Sequence, residues 1–410
     1  MCVAVVGIIA EYHPFHKGHA WQIRTARERL GEDTAVVAVM SGNFVQRGDF
    51  AMFSKHVRAE MALLGGVDLV LELPTPWASA TAERFAQGGV ALLRQTGVVT
   101  HLAFGCESGE LEVLQQAVDG LNDDTFSERL QRHLATGKTF ATARQSALEE
   151  TMGERAQLLA QPNNALAVEY LRAIAAQDAP ITPLALPRVG AAHDSAELVE
   201  YSSASAIRAQ LLSGGEWHSL VSESTAEIIS RELDAGRTPV TMKTCERAVL
   251  ARLRSMTEED FALYDGGKEG LYCRIYTAVH TGNDVEAILS AAKTKRYPLA
   301  RLRRFLLHSY LGVPQAQQGE SPSYLRVLGA NERGRGLLRQ MAKCASVPVI
   351  TKPADARKLE DSTARTLFEQ EARCTDLYTL AMPDLANALP DSEFRRPAVM
   401  IGVNRERKRT

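Results

Sequence analysis

The chain has 410 residues and a formal net charge of −2. Its content of 45% apolar and 23% charged residues is typical of a soluble globular protein, and its length suits about two domains. No apolar run approaches the roughly 20 residues of a membrane span, and the N-terminus lacks the basic segment of a signal peptide. The six cysteines form neither a C-x-x-C pair nor a zinc-ligand spacing with histidine. Composition therefore excludes membrane-spanning and disulfide-framework proteins, and predicts a cytoplasmic protein with no metal site of its own.

Strand and helix patterns alternate through the first 110 residues. Apolar strand patterns cover residues 3–10, 34–40, 69–73 and 100–104, and helical patterns cover residues 20–30, 55–65 and 81–95. Such alternation predicts right-handed βαβ units and an α/β fold with a Rossmann-like parallel sheet. Ligands of such sheets bind at the carboxyl ends of the strands, where polar segments containing glycine follow at residues 13–19, 41–48 and 105–108.

The remaining patterns divide the chain into two predicted domains. Helical patterns at about 108–150 predict an insertion, the asparagines at 163–164 offer an N-cap for the next helix, and residues 181–186 predict a further strand. The segment Asp-Ala-Gly-Arg-Thr-Pro marks a boundary at about residue 235. Residues 1–235 are thus predicted to form the α/β domain and residues 236–410 a mainly α-helical one, with one brief strand candidate near 347–350.

The first strand leads into the motif His16-x-Gly18-His19, and a helical pattern follows from Ala20. Exposed backbone N–H groups and the positive end of the helix dipole can hold a nucleotide phosphate there. Gly18 allows close approach of a ligand, and the two imidazoles can donate hydrogen bonds to phosphate oxygens. The alternative is a buried strand and a surface turn with incidental histidines. The motif resembles the signature of the adenylyl- and cytidylyltransferase-like superfamily.

A second motif, Ser-Ser-x-Ser-x-Ile-Arg, runs from Ser202 to Arg208 and includes Ser203. Serine hydroxyls and the amides of a helix N-terminus form an anion site, and a guanidinium suits phosphate oxygens. The alternative is a serine-capped helix with a surface arginine. Together with His16-x-Gly18-His19, the motif predicts that nucleotide phosphates are held from two sides.

Several segments together resemble the bacterial tRNA(Met) cytidine acetate ligase family. They are residues 11–19, 40–48, 65–74, 161–164, 202–208, 269–271 and 293–297, so the resemblance covers nearly the whole chain. One departure is His13, where the family more often has asparagine. The resemblance implies an enzyme that uses ATP and acetate to form N4-acetylcytidine at the wobble position of elongator tRNA(Met). Acetyl-adenylate would be the intermediate, with AMP and pyrophosphate released and Mg²⁺ bridging phosphate oxygens.

The resemblance also implies site residues. His16 and His19 would stabilise charge on the α- and β-phosphates. Arg208 and Lys55 are candidates for binding the pyrophosphate. The alternative for Lys55 is a solvated surface residue, which is the more common role of a lysine at a helix start. Further nucleotide contacts would come from Ile9, Ala10, Glu11, Tyr12, His13, Pro14, Phe15, Lys17, Gly18, Ala20, Trp21, Gln22, Gly105, Asn163 or Asn164, and Arg188.

A basic cluster in the second half predicts the macromolecular partner. Residues 293–304 contain no acid. We expect RNA contacts from Lys293, Lys295, Arg296, Tyr297, Arg301 and Arg304. Such a face suits a phosphate backbone, and its binding would depend strongly on salt. The alternative is a solvated basic face paired with acids elsewhere.

Two rival functions remain open from the residues alone. An adenylyltransferase for a small metabolite would be active without RNA and would have no use for the basic cluster. A non-catalytic tRNA- or ribosome-binding protein would bind RNA but would not exchange pyrophosphate with ATP. The presence of both phosphate motifs argues against the second rival.

Overall fold

The computed structural model describes residues 4–188, 202–266, 270–319 and 321–402. The strands are β1 (Val5–Ala10), β2 (Ala35–Ser41), β3 (Phe44–Val45), β4 (Asp49–Phe50), β5 (Leu69–Leu73), β6 (His101–Cys106), β7 (Thr182–Pro187), β8 (Leu325–Ala330), β9 (Val349–Ile350) and β10 (Val399–Met400). The helices are α1 (Lys17–Leu30), α2 (Lys55–Leu64), α3 (Thr75–Ala78), α4 (Ala82–Gln95), α5 (Leu111–Asn122), α6 (Phe126–Ala135), α7 (Phe140–Met152), α8 (Pro162–Ala176), α9 (Ala204–Ser213), α10 (Glu223–Asp234), α11 (Glu246–Arg254), α12 (Glu258–Ala262), α13 (Leu271–Thr281), α14 (Val285–Ala292), α15 (Leu299–Leu311), α16 (Glu332–Cys344), α17 (Ser362–Thr379) and α18 (Ser392–Arg395).

The predicted α/β fold is confirmed. The main sheet has the order β10-β8-β5-β2-β1-β6-β7, and β5, β2, β1, β6 and β7 pair in parallel. These five are the strands predicted from the sequence, within two residues at each end. The predicted insertion is also helical and consists of α5, α6 and α7.

The sheet changes direction at β1. The chain moves outward from β1 through β2 to β5 and then returns to place β6 on the opposite side of β1. The loops that follow β1 and β6 therefore diverge, and a crevice opens between them at the carboxyl ends of the strands. In open α/β sheets, ligands bind at such a switch point.

The second half of the chain contributes strands to the same sheet, which the predicted boundary at residue 235 did not anticipate. Strand β8 pairs antiparallel with β5, and both β9 and β10 pair in parallel with β8. This arrangement covers the edge of β5, which would otherwise expose unpaired backbone groups. Strand β8 was missed because the buried Arg326 interrupts its apolar pattern. The brief strand predicted near residues 347–350 is confirmed as β9.

Alternate residues of the strands enter two apolar cores, one on each face of the sheet. Val5 and Ile9 of β1 face the core that α4 and α8 cover. Val6 and Ile8 face the core that includes residues of α1, α2, α9 and α10. This alternation is the period-2 pattern of a strand, and burial on both faces explains why the strands read as continuous apolar runs.

A third core lies among the helices of the second half. It includes buried residues of α11, α13, α14, α15 and α17, together with Phe44 and Phe50 from the hairpin of β3 and β4. The second half is thus mainly helical, as predicted. In the described part of the chain, no helix is long and apolar enough to cross a bilayer, and the five cysteines there are free thiols.

Candidate nucleotide-binding site

His16 and His19 are fixed in place by the first turn of α1. His16 is the N-cap, and its Nδ1 accepts a hydrogen bond from the backbone N–H of Gly18 at 3.0 Å. His19 Nδ1 accepts from the backbone N–H of His16 at 3.2 Å. An imidazole that accepts at Nδ1 carries its proton on Nε2. The pair therefore presents two Nε2–H donors, with ring centroids 3.8 Å apart, at the positive end of the helix.

Gly18 is needed for this arrangement. A Cβ at position 18 would lie 2.9 Å from His16 Cε1 and 3.1 Å from its Nδ1. Glycine therefore allows the His16 ring to fold back over the helix start. The sequence predicted glycine here for the approach of a ligand, and the structure adds a reason within the protein itself.

The loop between β1 and α1 is built on two buried aromatic side chains. Tyr12 adopts a left-handed backbone conformation with φ of 46°, and its ring lies 5.0 Å from that of Phe15 and 4.8 Å from that of His19. Burial raises the pKa of Tyr12 above its ordinary value, so the phenol stays neutral. Both residues were predicted nucleotide contacts, and the structure packs both rings against that of His19.

His13 ties this loop to two other parts of the chain. Its Nε2 accepts from the backbone N–H of Met52 at 2.8 Å, and its carbonyl accepts from Arg208 Nη1 at 2.8 Å. Burial, with the nearby charges of Arg208 and Arg58, lowers its pKa well below 6.5. His13 is therefore a neutral hydrogen-bond acceptor.

The contact between Arg208 and His13 joins two motifs that lie 195 residues apart in the chain. Arg208 lies on α9, whose N-cap Ser203 accepts from the backbone N–H of Ala206 at 3.1 Å. Ser203 and Ser205 hydroxyls are 3.0 Å apart. The serine cap predicted from the sequence is confirmed, and the structure brings this motif to the loop of the first.

The opposite wall of the crevice is held by Asn164. Its Oδ1 accepts from the backbone N–H groups of Glu107 and Ser108 at 2.8 and 3.2 Å, and the side chain is fully buried. The Glu107 carboxylate in turn accepts from the backbone N–H groups of Asn163 and Asn164 at 3.3 and 2.8 Å. The predicted asparagine N-cap is wrong, because α8 begins after Gln161 and Glu107 supplies the capping oxygens. Both asparagines hold the loop after β6.

Two further predicted contacts lie on this wall, and a third reaches it from α1. The side chain of Arg188, which follows β7, passes close to Gly105, where an added Cβ would lie 3.2 Å from Arg188 Cγ. On α1, Gln22 Nε2 donates to the carbonyl of Ala103 at 3.5 Å. Gly105 and Arg188 are thus neighbours at the carboxyl ends of β6 and β7, and their contact with the nucleotide stays a prediction.

The other predicted contacts follow the loop and the first turns of α1. Lys17 Nζ donates to the carbonyl of Ser219 at 2.8 Å, so its ammonium group is used to fix the helix start. Glu11 Oε1 accepts from the backbone N–H of Gln46 at 2.8 Å. The remaining members of this set lie at the end of β1, in the loop or in α1: Ile9, Ala10, Pro14, Ala20 and Trp21.

The structure corrects the role predicted for Lys55. Its side chain is 1% exposed, and its Nζ lies 2.7 Å from Glu72 Oε1 and 2.7 Å from Glu393 Oε2. It is therefore neither a pyrophosphate ligand nor a solvated surface lysine. The sequence could not show this, because Glu393 lies far along the chain and reaches Lys55 only when the second half completes the sheet.

Lys55 belongs to a buried ionic cluster that also includes Glu371 and Arg326. Glu371 accepts from the backbone N–H and the hydroxyl of Thr75, and burial, with the charge of Glu72, raises its pKa to about 8. Burial would also raise the pKa of Glu393, but Lys55 and Arg326 outweigh it and lower that pKa to about 2. The cluster therefore joins the first half of the chain to the second.

Arg58 is a site residue that the sequence analysis missed. It is fully buried on α2 and donates to the carbonyls of Glu11, Ser41 and Phe53, at 2.5, 3.1 and 2.9 Å, and also to that of Gly42. Burial lowers its pKa to about 10. Arg58 thus clamps the loops after β1 and β2 together. Within an ordinary helical pattern, no sequence signal marked it.

The basic cluster forms a surface at the start of α15. Lys293, Lys295 and Arg296 are exposed. Tyr297 is buried, with the guanidinium of Arg301 lying 5.2 Å from its ring centroid, so it supports the surface from below. We call the exposed residues, together with the basic first turns of α15, the basic surface.

Two arginines of α15 lie close to acidic side chains, and a third donates a hydrogen bond to a backbone carbonyl. Arg301 lies 3.9 Å from Asp265 Oδ1, and Arg303 lies 3.4 Å from Glu286 Oε1. Arg304 Nη1 donates to the carbonyl of Gln46 at 3.5 Å. The basic surface therefore lies beside the hairpin of β3 and β4.

Comparisons with known proteins cover nearly the whole chain. The sequence profile of the family described as HIGH Nucleotidyl Transferase matches residues 3–392. The tRNA(Met) cytidine acetate ligase of Syntrophomonas wolfei is 37% identical over 409 residues, which cover 96% of this chain and 98% of that protein. The protein of the same name from Caldanaerobacter subterraneus is 38% identical over 406 residues, with 97% and 99% covered.

Solved structures agree. The crystal structure of apo Thermotoga maritima TmcAL matches with a TM-score of 0.92 at 32% identity, covering 97% of this chain and 99% of that chain. The structure of the same protein bound with alpha-thio ATP matches with a TM-score of 0.90 at the same identity. The resemblance identified from the sequence motifs is thereby confirmed. The chain belongs to the HIGH nucleotidyl transferases and, among them, to the tRNA(Met) cytidine acetate ligase family.

Proposed function

We propose that the protein is an ATP-dependent ligase that forms N4-acetylcytidine at the wobble position of elongator tRNA(Met) from acetate, through acetyl-adenylate. The observation that carries this proposal is the pair of Nε2–H donors of His16 and His19, held by backbone hydrogen bonds at the sheet's switch point. Family membership supplies the substrates. The proposal also places the enzyme in the cytoplasm, with its tRNA.

In the first step, an oxygen of acetate attacks the α-phosphorus of ATP, and pyrophosphate leaves with the electrons of the broken P–O bond. Acetate is already an anion, so the step needs alignment and charge stabilisation and no protein nucleophile. His16 and His19 donate to phosphate oxygens on which charge develops, with the N-terminus of α1 behind them. Arg208, held at the same loop by His13, is suited to the leaving pyrophosphate.

In the second step, N4 of the cytidine attacks the acetyl carbonyl carbon, and AMP leaves with the electrons of the C–O bond while the amine loses a proton. RNA must therefore bring one unpaired base to the crevice. The basic surface beside the β3–β4 hairpin suits the phosphate backbone of that RNA.

We propose that Mg²⁺ accompanies the nucleotide, as the family resemblance implies. Across the described ranges, no group of three histidine, cysteine, aspartate or glutamate side chains is placed to hold a metal ion. The phosphate oxygens would therefore supply most ligands, as is common for this ion. Bound there, Mg²⁺ would neutralise phosphate charge.

The test is incorporation of labelled acetate into total tRNA, with ATP present or omitted, followed by nucleoside analysis. We expect ATP-dependent N4-acetylcytidine in tRNA(Met). Acetate-dependent exchange between ATP and pyrophosphate without label in tRNA would contradict the proposed acceptor. If both signals are absent, an adenylyltransferase for another acid or metabolite becomes the better explanation. Tight RNA binding without exchange would instead indicate a non-catalytic RNA-binding protein.

A further inference from the structure

The segment of residues 41–48 was singled out in the sequence but has so far received no functional role. Its hairpin of β3 and β4 is anchored in the helical core of the second half. The Phe44 ring lies 6.0 Å from that of Tyr378, and the Phe50 ring lies 6.1 Å from that of Tyr310. The hairpin is therefore fixed to the helical part, although it follows directly from β2 of the sheet.

We call the loop between β1 and α1, residues 11–16, the nucleotide loop. The turn of the hairpin, residues 46–48, touches both the nucleotide loop and the basic surface. The backbone N–H of Gln46 donates to Glu11 of the nucleotide loop, and its carbonyl accepts from Arg304 of α15. Gly48 has a left-handed φ of 78°, and an added Cβ there would overlap the backbone of Arg303 and Arg304. The turn is thus held in place from both sides.

The charged side chains near the turn also place it between the basic surface and the nucleotide loop. Asp49, the next residue, is largely buried, which raises the pKa of its carboxyl group, while the charges of Arg303 and Arg208 lower it. Arg303 belongs to the basic surface, and Arg208 is bound to the nucleotide loop. The turn therefore lies between Arg303 of the basic surface and Arg208 beside the nucleotide loop.

Arg47 is the exposed residue at the middle of this turn. We infer that Arg47 contacts the RNA backbone and extends the basic surface from α15 to the nucleotide loop. Its guanidinium is charged at every physiological pH and suits phosphate oxygens. The inference rests on the proposed function, because it assumes that the partner of the basic surface is RNA.

The experiment compares Arg47→Glu, Arg47→Gln and Arg47→Lys with wild type in the full chain. The dissociation constant for tRNA is measured at several salt concentrations, and acetate-dependent ATP–pyrophosphate exchange is measured without RNA. We expect Arg47→Glu to weaken tRNA binding roughly tenfold and Arg47→Gln about threefold, with the slope of log K against log salt smaller by about 1. Arg47→Lys should restore most of the affinity, and exchange should stay at the wild-type level in all three.

The matched control is Arg94→Glu, which makes the same charge change at an exposed residue in the last turn of α4, away from the carboxyl ends of the strands. It should leave tRNA affinity unchanged. The inference is overturned if Arg47→Glu and Arg47→Gln bind tRNA like wild type, or if Arg94→Glu weakens binding as much. It is also overturned if exchange is lost together with binding, since Arg47 would then belong to the nucleotide site. Failure of the wild-type protein to exchange or acetylate would refute the proposed function, while the affinities would still test Arg47.

Discussion

The nucleotide site and the basic surface hold their functional groups in opposite ways. In the nucleotide site, His16, His19 and Arg208 each have a hydrogen bond to the backbone that sets the direction of the side chain. On the basic surface, Lys293 and Lys295 are exposed on a connection between two helices. The comparison teaches that transfer chemistry requires donors in fixed positions, whereas attraction of a phosphate backbone requires charge alone. The two regions should therefore fail separately.

The largest expected effect is on the rate of adenylate formation. His19→Ala removes an Nε2–H donor, and we expect acetate-dependent ATP–pyrophosphate exchange to fall by about 10²–10³ while tRNA affinity stays near wild type. His19→Asn is the matched control, since its amide oxygen can still accept from the backbone N–H of His16. If His19→Asn retained full exchange, the helix cap rather than the Nε2–H group would be what matters.

A second large effect concerns stability. Lys55→Ala leaves Glu72 and Glu393 buried without their common partner, and we expect it to lower the free energy of unfolding by about 3–5 kcal/mol. Chemical denaturation measures this change. Lys358→Ala, at an exposed lysine 3.8 Å from Asp355, should change stability by less than about 1 kcal/mol. Equal effects of the two substitutions would contradict the structural role given to Lys55.

A smaller effect is expected on RNA binding. Arg296→Glu should weaken tRNA binding roughly tenfold and reduce the salt dependence, because one phosphate contact is lost and a repulsive charge is added. Acetate-dependent exchange should persist at the wild-type rate. Filter binding across a salt series, alongside the exchange assay, checks both. Loss of exchange in this variant would show that the two regions are not separable.

A further effect is expected on the pH dependence of stability. The pKa of Glu371 is raised to about 8 in the folded protein, from an ordinary value of 4.5, because the group is buried near Glu72. The folded state thus holds a proton that the unfolded state releases. Its stabilising contribution is complete below about pH 4.5 and is lost as the pH rises toward 8, by at most about 1.4 kcal/mol per pH unit.

Glu371→Gln is the variant that tests this pH dependence. A glutamine can still accept from the backbone N–H of Thr75, and it does not titrate. Urea unfolding at pH 6 and pH 8.5 should therefore show a smaller loss of stability in the variant than in wild type. Equal losses in the two proteins would mean that Glu371 is ionised throughout this range.

Local sequence patterns correctly predicted the structural features that depend on residues close together in the chain. The strands of the parallel sheet, the serine cap of α9 and the placement of His16 and His19 at a helix start all follow from short-range periodicity and motif context. Even there, the capping role of the two histidines was missed, since capping is usually associated with serine, threonine and acidic side chains.

The missed features depend on residues far apart in the chain. Strand β8 contains Arg326, which interrupts an apolar run in the sequence. Its charge is paired only in the folded chain, where Glu393, which is distant in sequence, lies beside it. Lys55 was misinterpreted for the same reason. A buried ion pair satisfies both charges only in the folded chain, so neither residue carries a local signal of its burial. Arg58 likewise reads as an ordinary helix residue until the carbonyls around it are assembled.

The most direct test of the account is acetate-dependent exchange of labelled pyrophosphate into ATP by the wild-type protein in the complete absence of RNA. The account predicts exchange, because the donors that stabilise the phosphate charge are already held by the protein's own backbone. It also predicts that Arg296→Glu exchanges at the wild-type rate. Exchange that appears only when tRNA is added would contradict the claim that the nucleotide site is built independently of the basic surface.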